Sequence, residues 1–221
     1  MKKTLLLITC ICFVTFSFAK KPTRIAIQTE YGKIVLQLYD NTPLNRDNMI
    51  KLAKRHYYDS TLFHRVIPNF VIQGGDPDSK HAKAGQMLGD GDLGYRVPAE
   101  INDIDFHKRG ALGVARDNTP DKSGSACQFY IVTGKKYTDG DLDAMERRSG
   151  RKYTPEQREV YKTQGGVPHL DGGYTVFGEV VEGMDVVDKI SNEPRDAHDR
   201  PDKDIRMISV RVVKKKHFLF F

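Results

Sequence analysis

Phe63-His64-Arg65-Val66-Ile67-Pro68-Asn69-Phe70-Val71-Ile72-Gln73-Gly74-Gly75-Asp76 carries apolar residues, one guanidinium, one primary amide and a Gly-Gly-Asp exit in a single short run. The β-branched and aromatic residues predict two strands. Pro68-Asn69 predicts the turn between them, and Gly74-Gly75 ends the second where the backbone must bend sharply. Period-2 alternation in that second strand assigns Phe70 and Ile72 to one face and Val71 and Gln73 to the other.

Working outward, Arg24-Ile25-Ala26-Ile27-Gln28 and Ile34-Val35-Leu36-Gln37-Leu38-Tyr39 alternate around Glu30 to Lys33 and predict a β-hairpin. A helix follows, with Thr42 as N-cap, Pro43 at the first position and an apolar stripe of Leu44, Met49, Ile50, Leu52 and Ala53. Residues 77 to 97 predict a long irregular loop, a length that suggests function. Strands are predicted over 111–116, 128–132, 176–180 and 205–213, a helix over 184–191, and a polar loop over 117–124. Within 135–167, residues 139–148 and 154–162 predict two short helices, the second opening on Thr154 and Pro155.

The central run resembles the signature of the cyclophilin-type peptidyl-prolyl isomerases. Three further blocks follow in the family's order: Gly110 to Arg116, Ser125 to Ile131, and Leu170-Asp171-Gly172-Gly173-Tyr174-Thr175-Val176-Phe177-Gly178. The resemblance spans about residues 24 to 213. It implies a mainly β fold, an eight-stranded antiparallel closed barrel capped by two α-helices, consistent with many short strands separated by turns. The segment 135–167 departs from it as a helical insertion, either a wall of the substrate groove or a surface hairpin.

Composition narrows the partners. With 221 residues, 39% hydrophobic and 29% charged, the chain can bury one core. Its formal charge of +6 is mild, and scattered too widely to argue for nucleic acid. Residues 1–19 read as a secretory signal: Lys2-Lys3, an apolar run from Leu5 to Phe18, and the small residues Ser17 and Ala19 before Lys20. The expected domain is therefore 20–213, exported to the periplasm or secreted, without stable membrane insertion once the signal is cleaved, and monomeric. Cleavage leaves Cys127 as the one thiol, so no intramolecular disulfide is expected. The tail 214–221 is basic and then apolar.

Isomerisation of an X-Pro bond crosses a barrier of about 18–20 kcal/mol set by amide resonance, with no bond made or broken. A catalyst must hold the twisted amide better than either planar form, with an apolar pocket for the ring and a donor near the prolyl nitrogen. By resemblance, Arg65 is that donor. Phe70, Val71, Tyr130 and Leu170 line the proline pocket, and Gln73 and Gln128 hold the substrate backbone. Ala115 and Arg116 form an edge strand that pairs with the residues before proline.

The chain departs from the commonest family residues at several of these places. Val71 stands where Met is common, Tyr130 where Phe is common, Arg116 where Asn is frequent, His169 where many relatives carry Trp, and Tyr174 where many carry His. The Tyr130 hydroxyl needs a partner if buried. His64 reads as a strand residue satisfied by hydrogen bonds, since the reaction transfers no proton. The other histidines lack paired ligand spacing, so neither metal nor cofactor is expected. The substrates implied are proline-containing unfolded or folding polypeptides. The competing reading is a binding module of the same fold that holds proline-containing clients without turnover.

Overall fold

In a computed structural model, residues 22–213 are described; the signal 1–19, the predicted start at Lys20 and the tail 214–221 lie outside them. Ten strands and four α-helices run in the order β1 (Arg24–Thr29), β2 (Gly32–Leu38), α1 (Pro43–Lys54), β3 (Phe63–Ile67), β4 (Val71–Gly74), β5 (Arg96–Val97), β6 (Ala111–Val114), β7 (Gly124–Ser125), β8 (Phe129–Val132), α2 (Asp139–Ser149), α3 (Pro155–Thr163), β9 (Val176–Glu182), α4 (Met184–Ser191) and β10 (Ser209–Val212).

Eight strands form one curled antiparallel sheet in the order β10-β1-β2-β9-β6-β8-β4-β3, and β5 pairs with β7 apart from it. The predicted final strand over 205–213 is shorter than expected. Only Ser209–Val212 pairs with β1. Residues 205–207 instead join the opposite edge, where Phe63 N–H donates to the Ile205 carbonyl at 2.9 Å and Met207 N–H to that of Thr61 at 2.8 Å. This irregular seam brings the two edges of the sheet together and covers backbone groups that would otherwise face solvent.

Alternation sorts the strands into two faces. Ile25, Ile27, Leu36, Ile72, Leu112, Val114, Phe129, Ile131 and Phe177 point inward, and Met49 and Leu52 of α1 with Val186, Val187 and Ile190 of α4 close that core. Val71, Ala111, Tyr130, Val132 and Val176 point outward and build a second apolar cluster. At about 25 cal/mol per Å² of apolar surface, the inner cluster is the main source of stability. Cys127, buried, belongs to it as a small apolar residue, and burial raises its thiol pKa.

Two helix expectations are corrected. Thr42 sits at the N-cap of α1, yet its side chain makes no cap bond. The Glu100 carboxylate, far along the chain, accepts from the Leu44 and Asn45 N–H groups, both at 2.9 Å, and from Asn45 Nδ2 at 2.8 Å. A full negative charge there also suits the helix dipole. Leu44, assigned to the apolar stripe, is half exposed.

The insertion holds α2 and α3, and Thr154 and Gln157 form the capping box that opens α3. Its own small core gathers Tyr137, Leu142, Tyr153 and Tyr161.

Candidate active site

The register of the sheet lays one row of residues across five strands. Arg65 faces Gln73, Gln73 faces Tyr130, Tyr130 faces Gly113, and Gly113 faces Val176. Paired residues in antiparallel ladders stand about 4.5–5.5 Å apart, so the row is a continuous strip on the outer face. Gly113 leaves that strip without a side chain, and the Tyr130 ring lies over the gap. A Cβ at Gly113 would come within 2.2 Å of Tyr130 Cζ.

A cavity of about 240 Å³ opens above this strip. Arg65, Phe70, Val71, Gln73, Ala115, Arg116, Gln128, Tyr130, Leu170 and Tyr174 all line it. Of the predicted site residues, His169 alone does not. Its ring stacks on the far side of Phe70 at 5.5 Å between centroids.

Phe70 reaches the cavity beside Val71 rather than turning inward with Ile72. The reason is local: β4 begins only at Val71, and Asn69, at φ 61°, turns the chain just before Phe70. Pleat alternation does not extend through that left-handed turn.

The polar side of the cavity is a chain of hydrogen bonds. Arg65 Nη1 reaches Gln73 Oε1 at 3.5 Å, Gln73 Nε2 donates to Gln128 Oε1 at 3.1 Å, and Gln128 Nε2 donates to the carbonyls of Gly89 and Gly91 at 2.7 and 2.8 Å. The long Arg65 contact and its half-exposed side chain, 3.9 Å from Asp199, leave guanidinium donors open to the cavity.

The wall carrying Gly89 and Gly91 is the irregular stretch predicted over 77–97, which begins as a short 3-10 helix at Pro77–His81. Buried Asp76 organises it by accepting from the Gly89 N–H at 2.5 Å and the Asp78 N–H at 2.8 Å. Asp90, Asp92, Tyr95 and Arg96 thereby join the lining, with Asp117 from the polar loop and Ser125 from β7. Neither alternation nor the resemblance assigns these residues to the site.

On the apolar side, Tyr130 stacks on His107 at 6.0 Å and meets Tyr174 edge-on at 6.2 Å. The hydroxyl partner that Tyr130 required is His107 Nε2, at 2.8 Å. Burial holds the Tyr130 phenol well above its usual pKa, so it stays a neutral donor. The Arg116 guanidinium sits 4.6 Å over the Tyr174 ring and donates from Nε to the Gly173 carbonyl at 2.8 Å.

Two further expectations fail here. Ala115 is not on a free edge, because β6 lies between β8 and β9. Its N–H donates to the Gln128 carbonyl at 3.1 Å and its own carbonyl accepts from Ser125 at 2.8 Å, so its main chain is already paired. His64 is buried with no hydrogen-bond partner on either ring nitrogen. Burial, aided by the nearby Arg65 and Arg200 charges against the opposing pull of Asp76, pushes its pKa down to about 4.

The insertion contributes none of the lining; α2 and α3 bury only an inner face, in which Tyr161 is fully buried. Among the described residues, no group of three or more His, Cys, Asp or Glu could hold a metal ion, and no helix is long and apolar enough to cross a membrane.

The family model described as "Cyclophilin type peptidyl-prolyl cis-trans isomerase/CLD" matches residues 24–212. A peptidyl-prolyl cis-trans isomerase of Acinetobacter baylyi is 31% identical over 195 residues, covering 86% of this chain and 85% of its own. A Streptococcus pyogenes protein whose name joins a phosphatase to a peptidyl-prolyl isomerase is 35% identical over 192 residues; the match covers 86% of this chain but spans only 38% of that longer protein. The fold is similar to that of a cyclophilin-type isomerase from Cryptosporidium parvum, at TM-score 0.63 and 24% identity, covering 88% of this chain and 99% of that one. That protein has also been solved in the presence of the dipeptide Ala-Pro.

Proposed function

Because the chain belongs to the cyclophilin-type peptidyl-prolyl cis-trans isomerase family, we propose that it turns X-Pro bonds of unfolded or folding polypeptides, with Arg65 assisting the rotation. The observation that carries this reading is the juxtaposition in one cavity of the Arg65 donors and an apolar wall of Phe70, Val71, Tyr130 and Leu170. The prolyl ring rests against that wall. As the amide twists it loses resonance and its nitrogen gains a lone pair, which the guanidinium meets; planar ground states offer no such acceptor, so the contact favours the twisted form.

Gln73 and Gln128 hold the substrate main chain. With Ala115 already paired, Arg116 just past β6 takes over the role of flanking the residues before proline. Proline-containing peptides as substrates fit the solved relative with its Ala-Pro dipeptide. Export, with removal of residues 1–19, places the work where newly translocated chains fold and slow X-Pro isomerisation limits them. N-terminal sequencing of the protein recovered from its compartment tests that placement, since a mature start other than near Lys20 contradicts it.

The test of activity is isomerisation of a short Ala-Pro peptide by the chain starting at Lys20, with Arg65→Ala in parallel. Fast turnover by the parent, at least a tenfold loss in the variant and a rate nearly flat from pH 6 to 8 are expected, because arginine does not titrate there. An unchanged variant or a bell-shaped profile would assign the step to another group. An inactive parent that still binds the peptide would mark a binding module.

A further inference from the structure

A chain of buried hydrogen bonds links the insertion to one pocket residue, Tyr130. Tyr161 of α3 is fully buried, and its hydroxyl donates to Asp171 Oδ2 at 2.5 Å. The other carboxylate oxygen, Oδ1, accepts the His107 N–H at 2.9 Å and lies 2.7 Å from His107 Nδ1. His107 Nε2 then meets the Tyr130 hydroxyl at 2.8 Å. The side chains of His107 and Asp171 are each only 1% exposed, so water does not compete for these bonds.

The carboxylate can only accept, so Nδ1 carries a proton and the ring orientation is fixed from that side. Nε2 is thereby aimed at the Tyr130 hydroxyl, and each link of the chain holds the next in place. A second tie reinforces the first: the Tyr153 hydroxyl donates to the Pro168 carbonyl at 3.0 Å, holding the turn that presents Leu170.

We propose that Tyr161 is a positioning residue of the isomerase: through Asp171 and His107 it fixes the Tyr130 ring over Gly113, and so sets how closely the apolar wall holds a prolyl ring. The proposal rests on the proline-pocket reading above. It assigns to the insertion a role in substrate discrimination exercised from beneath the pocket rather than by contact with the client.

A double-mutant cycle tests it, with Tyr161→Phe, Tyr130→Phe and the double variant assayed for turnover of Ala-Pro and Leu-Pro peptides and for peptide binding by NMR titration. Both substitutions remove one oxygen and keep the ring, so all three variants should fold. Tyr161→Phe is expected to weaken kcat/KM about fivefold, chiefly through KM, and to change the Ala-Pro to Leu-Pro ratio. In the Tyr130→Phe background the same change should do almost nothing, because the chain is already cut at its far end. Effects that simply add, or a folded Tyr161→Phe with parental constants, would overturn the proposal. Failure of the isomerase reading is separately visible, because the parent itself would be inactive. The binding titration would then decide the relay on its own, with equal affinities in parent and Tyr161→Phe overturning it.

Discussion

Gly113→Ala is the sharpest test of how the pocket is built. The added methyl would lie 2.2 Å from Tyr130 Cζ and 2.5 Å from its hydroxyl oxygen, whereas ordinary contacts begin at 3.4 Å. The ring must therefore retreat by more than an ångström. The His107 bond at 2.8 Å and the edge-on contact with Tyr174 leave little freedom for such a move. Overpacking of this kind costs about 1–3 kcal/mol. Leaving the buried phenol without its partner adds about 1–3 kcal/mol. Replacing glycine in a strand returns only roughly 0.5–1 kcal/mol.

The net expectation is a loss of roughly 1–5 kcal/mol, centred near 3, a fall in Tm of about 5–15 °C at that centre for a domain of this size. Thermal and urea melts measure it, and the peptide assay is expected to show at least tenfold lower kcat/KM as the ring leaves the strip. Adding Tyr130→Leu should recover most of the stability while leaving activity low. Parental stability and activity in Gly113→Ala alone would refute the placement of Tyr130 over the glycine gap.

Other consequences are open to simple measurements. Glu100→Ala removes the carboxylate that accepts from Leu44, Asn45 and the Asn45 side chain, and is expected to cost about 2 kcal/mol in urea unfolding with kcat/KM of the folded protein unchanged; unaltered stability would mean α1 needs no such cap. His64 predicts acid sensitivity. With its pKa lowered to about 4 by burial, the folded chain stays neutral where the unfolded chain takes up a proton below its ordinary 6.5, so stability is complete above pH 6.5 and falls by up to about 3 kcal/mol as pH drops to 4. Urea melts across that range should be less pH-dependent in His64→Gln, and parallel pH slopes in the two proteins would contradict it.

What the sequence made legible was local and periodic. Ile25 and Ile27, Phe129 and Ile131, and the stripe Val186, Val187 and Ile190 reveal their faces by spacing alone, and all of them are buried as that spacing requires. The departures come from partners distant in the chain or from backbone turns. Thr42 has the chemistry of a cap, but Glu100 supplies a charged one to Leu44 from 56 positions further along the chain. Phe70 is turned by a left-handed Asn69 that no alternation rule anticipates.

The cavity residues that were legible sit in the signature and in the three blocks that follow it in the family's order, while Gly89, Asp92 and Tyr95 sit in an aperiodic loop folded by Asp76. His107 had one usable signal. A tyrosine in a buried strand position demands a polar partner, and that demand pointed to some group of this kind without saying which.

The ends of the insertion meet. Gly166 N–H donates to the Lys135 carbonyl at 3.0 Å, and the backbones at Gly134 and Gly166 pass so close that a Cβ at Gly134 would stand 2.5 Å from Gly166 Cα. An excursion that leaves and returns at one point is, for the sheet, a loop of adjustable length: doubling it adds only about 0.6 kcal/mol of closure cost and shifts no strand register. Evolution or an engineer can therefore lengthen, trim or exchange this segment as a cassette while the barrel stays as it is. A replacement would have to carry over the hydroxyls of Tyr161 and Tyr153, which hold Asp171 and the Pro168 turn.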